Sequence, residues 1–183
     1  MVKLRGPKSV SIGIDLRVFQ ISGIWEPNDD ERKAAWELYV ELITRVSVVP
    51  LATESGLLRE ALSSLYSLFA TTRQILRCYG PDVAEPKPNG QYSFGYLAVA
   101  LLNFALRPLL TRWHPALEDW EAIRPDGLSR SEHERSWDRS HDLRAALEAV
   151  GHVLSDYARL MASACGVPDL LEAGVAPGAS GEP

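Results

Sequence analysis

Cysteine is scarce in this chain: there are two, Cys78 and Cys165, among 183 residues. Far apart and without dense spacing, they exclude a secreted disulfide scaffold and read as buried free thiols in a reducing cytosol. Motifs with a known mechanism are missing too. No Gly-rich phosphate loop, CxxC pair, HExxH or GxSxG occurs, which removes the familiar nucleotide, zinc and serine-hydrolase chemistries. Lysine is rare beside arginine, four against fifteen. With abundant Ala and Leu, that composition is common in GC-rich genomes and points to a bacterial source. Acidic residues outnumber basic ones 24 to 19, giving a net charge of −5. Such a balance opposes binding to a phosphate backbone unless basic residues cluster, and along the sequence they do not.

What is present fits an ordinary soluble domain. Apolar residues make up 46% and charged residues 23%, which excludes a disordered, collagen-like or multi-span membrane protein. The length fits one domain, or at most one and a half. Lys3, Arg5 and Lys8 lead into an alternating pattern instead of a continuous apolar core, so no signal peptide is expected and the cytoplasm is the expected location. No repeat with a period of about 20 to 50 residues is found.

Val10, Ile12, Ile14, Leu16 and Val18 fall at every second position, the period of a half-buried strand. Phe19, Ile21 and Trp25 continue on the opposite parity, which reads as a bulge or bend between Val18 and Phe19, while Gly13 and Asp15 leave a tight hairpin open. Two strands alone are marginal in water, so the ribbon must lie on helices or pair with another chain, and a bare edge would be a docking site. Asn28 followed by Glu31 has capping-box spacing and opens a first amphipathic helix through Ala35, Leu38, Leu42, Val46 and Val49, ending near Pro50. Thr53 to Ser55 offers a second cap, ahead of a helix carrying Leu58, Leu62, Leu65, Phe69 and Leu76 that stops at Gly80 and Pro81. Residues 81–91, rich in proline, form an exposed connection.

From Tyr92 to Leu106 nearly every residue is apolar or small. Too short to cross a bilayer, which needs about 20 residues, the run reads as a central helix buried on most sides. Pro108 either kinks this helix or begins another carrying Leu109, Leu110, Trp113, Leu117 and Trp120. A turn at Arg124–Gly127 precedes two capping-box candidates, Ser129 with Glu132 or Ser131 with Glu134. The last helix carries the cleanest seam, Leu143, Leu147, Val150, Leu154, Tyr157 and Met161, and ends at Gly166 and Pro168. The expectation is a mainly α fold, a four- to five-helix bundle with an N-terminal β-ribbon. Residues 1–27 form the extended ribbon, 28–168 the bundle and 169–183 a disordered tail.

Candidate chemistry is thin. His133 and His141, with Glu134 and Asp138 near them, sit eight apart, whereas helical metal pairs sit about three or four apart. No metal or cofactor is expected. Glu134 with Asp138, and Arg135 with Arg139, are like-charge pairs on a solvated helix face. Between Glu118 and Glu148 nine carboxylates face five arginines, a balance that repels RNA. Trp113, Trp120 and Trp137 read as packing of helix ends or, alternatively, as an interface.

Arg135 and His141, with five residues between them near the start of a late helix, have a spacing that resembles the HEPN ribonuclease superfamily. Arg107 and His114, with six between, also fit it. The resemblance covers seven residues. It implies catalysis across a dimer, with His141 as a proton-transfer group and Arg135 stabilising phosphate charge. The leading expectation is different: a non-enzymatic helical interaction module, an adaptor or small subunit of a multi-component bacterial system. Its interface residues would be Val10, Ile12, Ile14, Leu16, Trp113, Trp120 and Trp137. A protein partner or self-association is expected, with no DNA and no membrane, and RNA only under the HEPN-like, metal-independent ribonuclease alternative. A membrane-active role for Tyr92–Leu106 ranks last, because Arg107 follows so soon.

Overall fold

The computed structural model describes residues 6–16, 20–45 and 56–170. Within them run strands β1 (Val10–Asp15) and β2 (Gln20–Trp25), then helices α1 (Asp29–Ile43), α2 (Leu58–Tyr79), α3 (Phe94–Ala100), α4 (Arg107–Ala122), α5 (Arg130–Arg135) and α6 (Ser140–Cys165). The fold is a mainly α helical bundle with an N-terminal β-ribbon. Val18, Phe19, Val46, Val49, Pro50, the cap at Thr53–Ser55 and the tail from Gly174 onward lie outside the described residues.

The two strands are antiparallel, with Val10 opposite Trp25, Ile12 opposite Gly23 and Ile14 opposite Ile21. Opposed residues share a face. Even positions of β1 therefore join odd positions of β2, and the change of parity along the sequence is the chain reversing direction, not a bulge inside one strand. Gly13 is not at the hairpin but inside β1, opposite Ser22. The shared apolar face packs on α6, and α6 in turn lies along α1. Val10, Ile12, Ile14, Leu16, Ile21 and Trp25 are all buried, so the ribbon is a wall of the core.

Asn28 caps α1 as its spacing predicts, with reciprocal bonds between Asn28 and Glu31. Glu31 does more than cap. Its carboxylate is fully buried and accepts hydrogen bonds from the Asn28 backbone (2.8 Å), the Phe94 backbone (2.9 Å), Trp25 Nε1 (3.3 Å) and Lys87 Nζ (2.6 Å). One side chain thus joins the ribbon, α1, the proline-rich connection and the start of α3, and its charge is paired where an unpaired one would be costly.

Pro108 neither starts a separate helix nor breaks one. Phe94 to Ala122 is continuous, with a π-helical stretch at Leu101–Leu106 in which the Arg107 N–H reaches back to the Leu102 carbonyl. Proline has no N–H to offer the Phe104 carbonyl and its ring crowds that group. A widened turn just ahead of it accommodates both. At 29 residues the helix is long and apolar enough to cross a membrane by length and composition, which the shorter apolar run alone is not. However, 61% of its most apolar window is buried inside the protein, against α2, α6 and its other neighbours.

The last third also departs from expectation. The capping box at Ser129 and Glu132 forms, but it opens the short α5. α6 starts afresh at Ser140, without a side-chain cap. The seam of α6 is buried from Leu143 to Met161, and Gly166 closes it in the left-handed conformation.

Candidate functional site

Trp113, Trp120 and Trp137, the aromatic residues expected at helix ends or an interface, pack against one another. Trp113 and Trp137 are buried and meet edge to face, centroids 6.0 Å apart. Trp120 stacks on His133 at 4.6 Å and lies 6.4 Å from Trp137. Trp120 Nε1 donates to the His133 carbonyl (3.0 Å), while His133 Nε2 donates to the Trp120 carbonyl (2.8 Å). Because a carbonyl only accepts, that ring carries its proton on Nε2. The cluster fastens α5 and the start of α6 to α4. Val10, Ile12, Ile14 and Leu16 are likewise taken up inside the chain. Six of the seven side chains named as an interface are thus buried within the chain, and Trp120 is half-buried.

His133 and His141 do not share a helix face, because they lie on α5 and α6, with His133 buried and His141 exposed. Glu134 does not sit beside Asp138 on a solvated face either. It points inward, where both its oxygens accept the N–H of Leu58 at 2.8 and 2.9 Å. α2 has no side-chain cap of its own, so Glu134 supplies one from across the fold. Burial raises the Glu134 carboxyl above the ordinary range, opposed by the Leu58 and Arg59 amides and by Arg144. No group of three or more metal-ligating side chains occurs among the described residues. Arg135 is exposed and donates to its own helix at the Ser131 carbonyl. His141 is exposed on α6, a different helix from Arg135.

The surface features with shape lie on the long helix instead. On one side, α3 and the proline-rich connection enclose a groove of about 560 Å³, lined among others by Pro86, Gln91, Tyr92, Tyr96, Val99 and Phe104. Tyr96, Val99 and Phe104 are exposed by 47%, 42% and 41%, unusual for large apolar side chains on a helix expected to be buried. The groove's wall is tied to β2 by the Tyr92 N–H, which donates to the Ile24 carbonyl (3.2 Å). Gly23 makes this approach possible. A Cβ there would lie 2.8 Å from the Tyr92 ring, and its φ of +157° favours glycine. The groove's rim is acidic: Glu85 lines it, Glu26 accepts from Gln91 of its wall (3.4 Å), and Lys87 is spent on Glu31.

On the α2 side, a cavity of about 370 Å³ is lined by Tyr66, Phe69, Arg73, Arg107, Thr111 and His114, among others. Arg73 and Arg107 place their guanidinium groups 6.0 and 5.6 Å from the centre of the Phe69 ring. Tyr66 meets His114 edge-on at 5.7 Å. Arg59 contacts His114 Nδ1 at 3.2 Å. Since arginine only donates, Nδ1 accepts and the neutral ring carries its proton on Nε2. That atom is buried without a hydrogen bond of ordinary geometry. Burial, then Arg59, hold His114 below the usual histidine range. The spacing Arg107–His114 thus brings two side chains to one cavity, which Arg135–His141 does not.

The fold defines the class of protein: a mainly α helical bundle with an N-terminal β-ribbon, here with concavities along its longest helix. Compared with protein-family models, curated proteins and solved structures, the chain matches none.

Proposed function

We propose that this protein is a non-enzymatic interaction module, and that its docking surface is the groove along α3. One observation carries the reading: Tyr96, Val99 and Phe104 are large apolar side chains held in solvent along a preformed groove. Contiguous exposed apolar surface of this kind marks binding sites on soluble proteins. The acidic rim at Glu26 and Glu85 selects the partner's chemistry, an apolar segment of another protein flanked by Lys or Arg.

The test is photo-crosslinking in the source cell, with benzoylphenylalanine replacing Tyr96, Phe104 or, as a control, the exposed Ile123. A single discrete adduct from positions 96 and 104, absent from 123, is the expected result. An adduct of twice the chain mass would identify a second copy instead of a different protein. No adduct, or the same pattern at all three positions, would sink the proposal. The ribonuclease alternative makes a separate demand: metal-independent cleavage of a mixed RNA pool, lost in Arg135→Ala and in His141→Ala with folding intact.

A further inference from the structure

The cavity between α2 and α4 is lined by two arginines, Arg73 and Arg107, and by His114, on which Glu118 and Glu121 act. From Ala61 to Tyr79 and from Ser93 to Leu117 the sequence holds Arg73, Arg77, Arg107 and Arg112 and not one Asp or Glu. Of these, Arg73 on α2 and Arg107 on α4 line the cavity, and it is the packing of α2 on α4 that brings them there. Arg59, farther along, is already taken by Glu121 at 2.6 Å. Arg73 and Arg107 have no ion pair among the described residues. Their guanidinium groups instead share one ring, Phe69, and Arg107 is held in place by two hydrogen bonds to the Asn103 side chain at 2.9 and 3.1 Å. Both arginines are exposed and line one cavity, where an anion can meet them together.

We infer that this cavity binds a phosphate ester carried on an aromatic base, a nucleotide. The charge count favours phosphate over carboxylate, since a phosphate monoester carries about two negative charges at neutral pH and meets two guanidinium groups. Tyr66 supplies the platform for the ring, because it stands 63% exposed at the cavity's mouth beside Phe69 and His114. The volume of about 370 Å³ is that of a small-molecule pocket. This site is separate from the α3 groove and does not depend on what docks there.

The test is calorimetric titration of the full-length protein at low salt with adenosine monophosphate, with inorganic phosphate and with a five-nucleotide adenylate RNA. Saturable binding of the monophosphate is expected, about tenfold tighter than phosphate. Arg73→Gln and Arg107→Gln should each weaken it about tenfold while leaving the circular-dichroism spectrum and Tm unchanged. Tyr66→Ala should reduce the monophosphate to the affinity of phosphate and leave phosphate itself as before, which a merely structural role for Tyr66 would not do. An RNA that binds no tighter than the monophosphate marks a free nucleotide as the ligand. Tighter binding with a steep salt dependence marks an RNA strand. If neither monophosphate nor phosphate saturates the wild type by about 10 mM, or if both arginine variants bind like wild type, the inference is overturned.

Discussion

The β-ribbon and the α3 helix exchange the roles that their sequences assign them. Val10 to Leu16 alternate, which marks one face for burial and leaves open whether this chain or another covers it. The run from Tyr92 to Leu106 is apolar or small at nearly every position, which marks most faces for burial. In the fold, α6 covers the ribbon, while Tyr96, Val99 and Phe104 on the largely apolar helix stay in solvent. A periodic pattern names a buried face correctly because only one face is apolar. A continuous pattern carries no such information, so the exposed strip of α3 has no signature in sequence.

The comparison breaks most severely if the ribbon is removed. Deleting residues 1–25 takes Val10, Ile12, Ile14, Leu16, Ile21 and Trp25 out of the core. At about 1.5 to 3 kcal/mol for each buried side chain, the loss matches or exceeds the about 5 to 15 kcal/mol that stabilises a typical domain. The truncated chain should therefore lack a cooperative unfolding transition, where the alternating pattern alone leads one to expect folded helices. A truncated protein that unfolds cooperatively near the wild-type Tm would return the ribbon to the role of an accessory edge.

Glu31→Ala tests the joint between the two regions, since it strands Lys87 and the buried N–H of Phe94 together. The expected loss is about 3 to 5 kcal/mol by urea unfolding. A change below about 1 kcal/mol would mean that ribbon and α3 are held independently of the carboxylate. Leu154→Ala, on the α6 seam and fully buried, should cost about 2 to 5 kcal/mol.

A smaller effect is expected from pH. His114 titrates below the usual histidine range when folded, so the unfolded chain takes up a proton before the folded one does. Its contribution to stability is full above about pH 6.5 and declines as the pH falls from there through the depressed value. Glu134 has the opposite sign: its raised carboxyl gives stability back as the pH falls through its folded pKa. The stability difference between wild type and His114→Gln should therefore shrink from pH 7 to pH 5, by thermal denaturation at both values. A difference that is constant or grows would contradict the buried, neutral ring.

Smallest of all should be the effect of charge on the exposed strip. Tyr96→Asp and Phe104→Asp are expected to change stability by less than about 0.5 kcal/mol, while abolishing capture of the partner crosslinked from those positions. A large loss of stability from either would make the strip part of the core and leave the ribbon and α3 alike.

By itself the sequence determined the elements whose signals are local: the capping boxes at Asn28–Glu31 and Ser129–Glu132, the ribbon's alternation, the α6 seam, and the stops at Gly80 and Gly166. Each depends on residues a few positions apart, within reach of one turn or one strand. Tertiary structure alone decided the rest. Glu31 and Glu134 look in sequence like a cap residue and a solvated charge, yet Glu31 reaches Phe94 and Glu134 reaches Leu58, across distances along the chain that no local pattern spans. Arg73 and Arg107 fall on different helices, and only the packing of α2 against α4 brings both to the Phe69 ring. Burial, pairing and charge concentration are properties of what faces a side chain, and what faces it is fixed by how the helices pack.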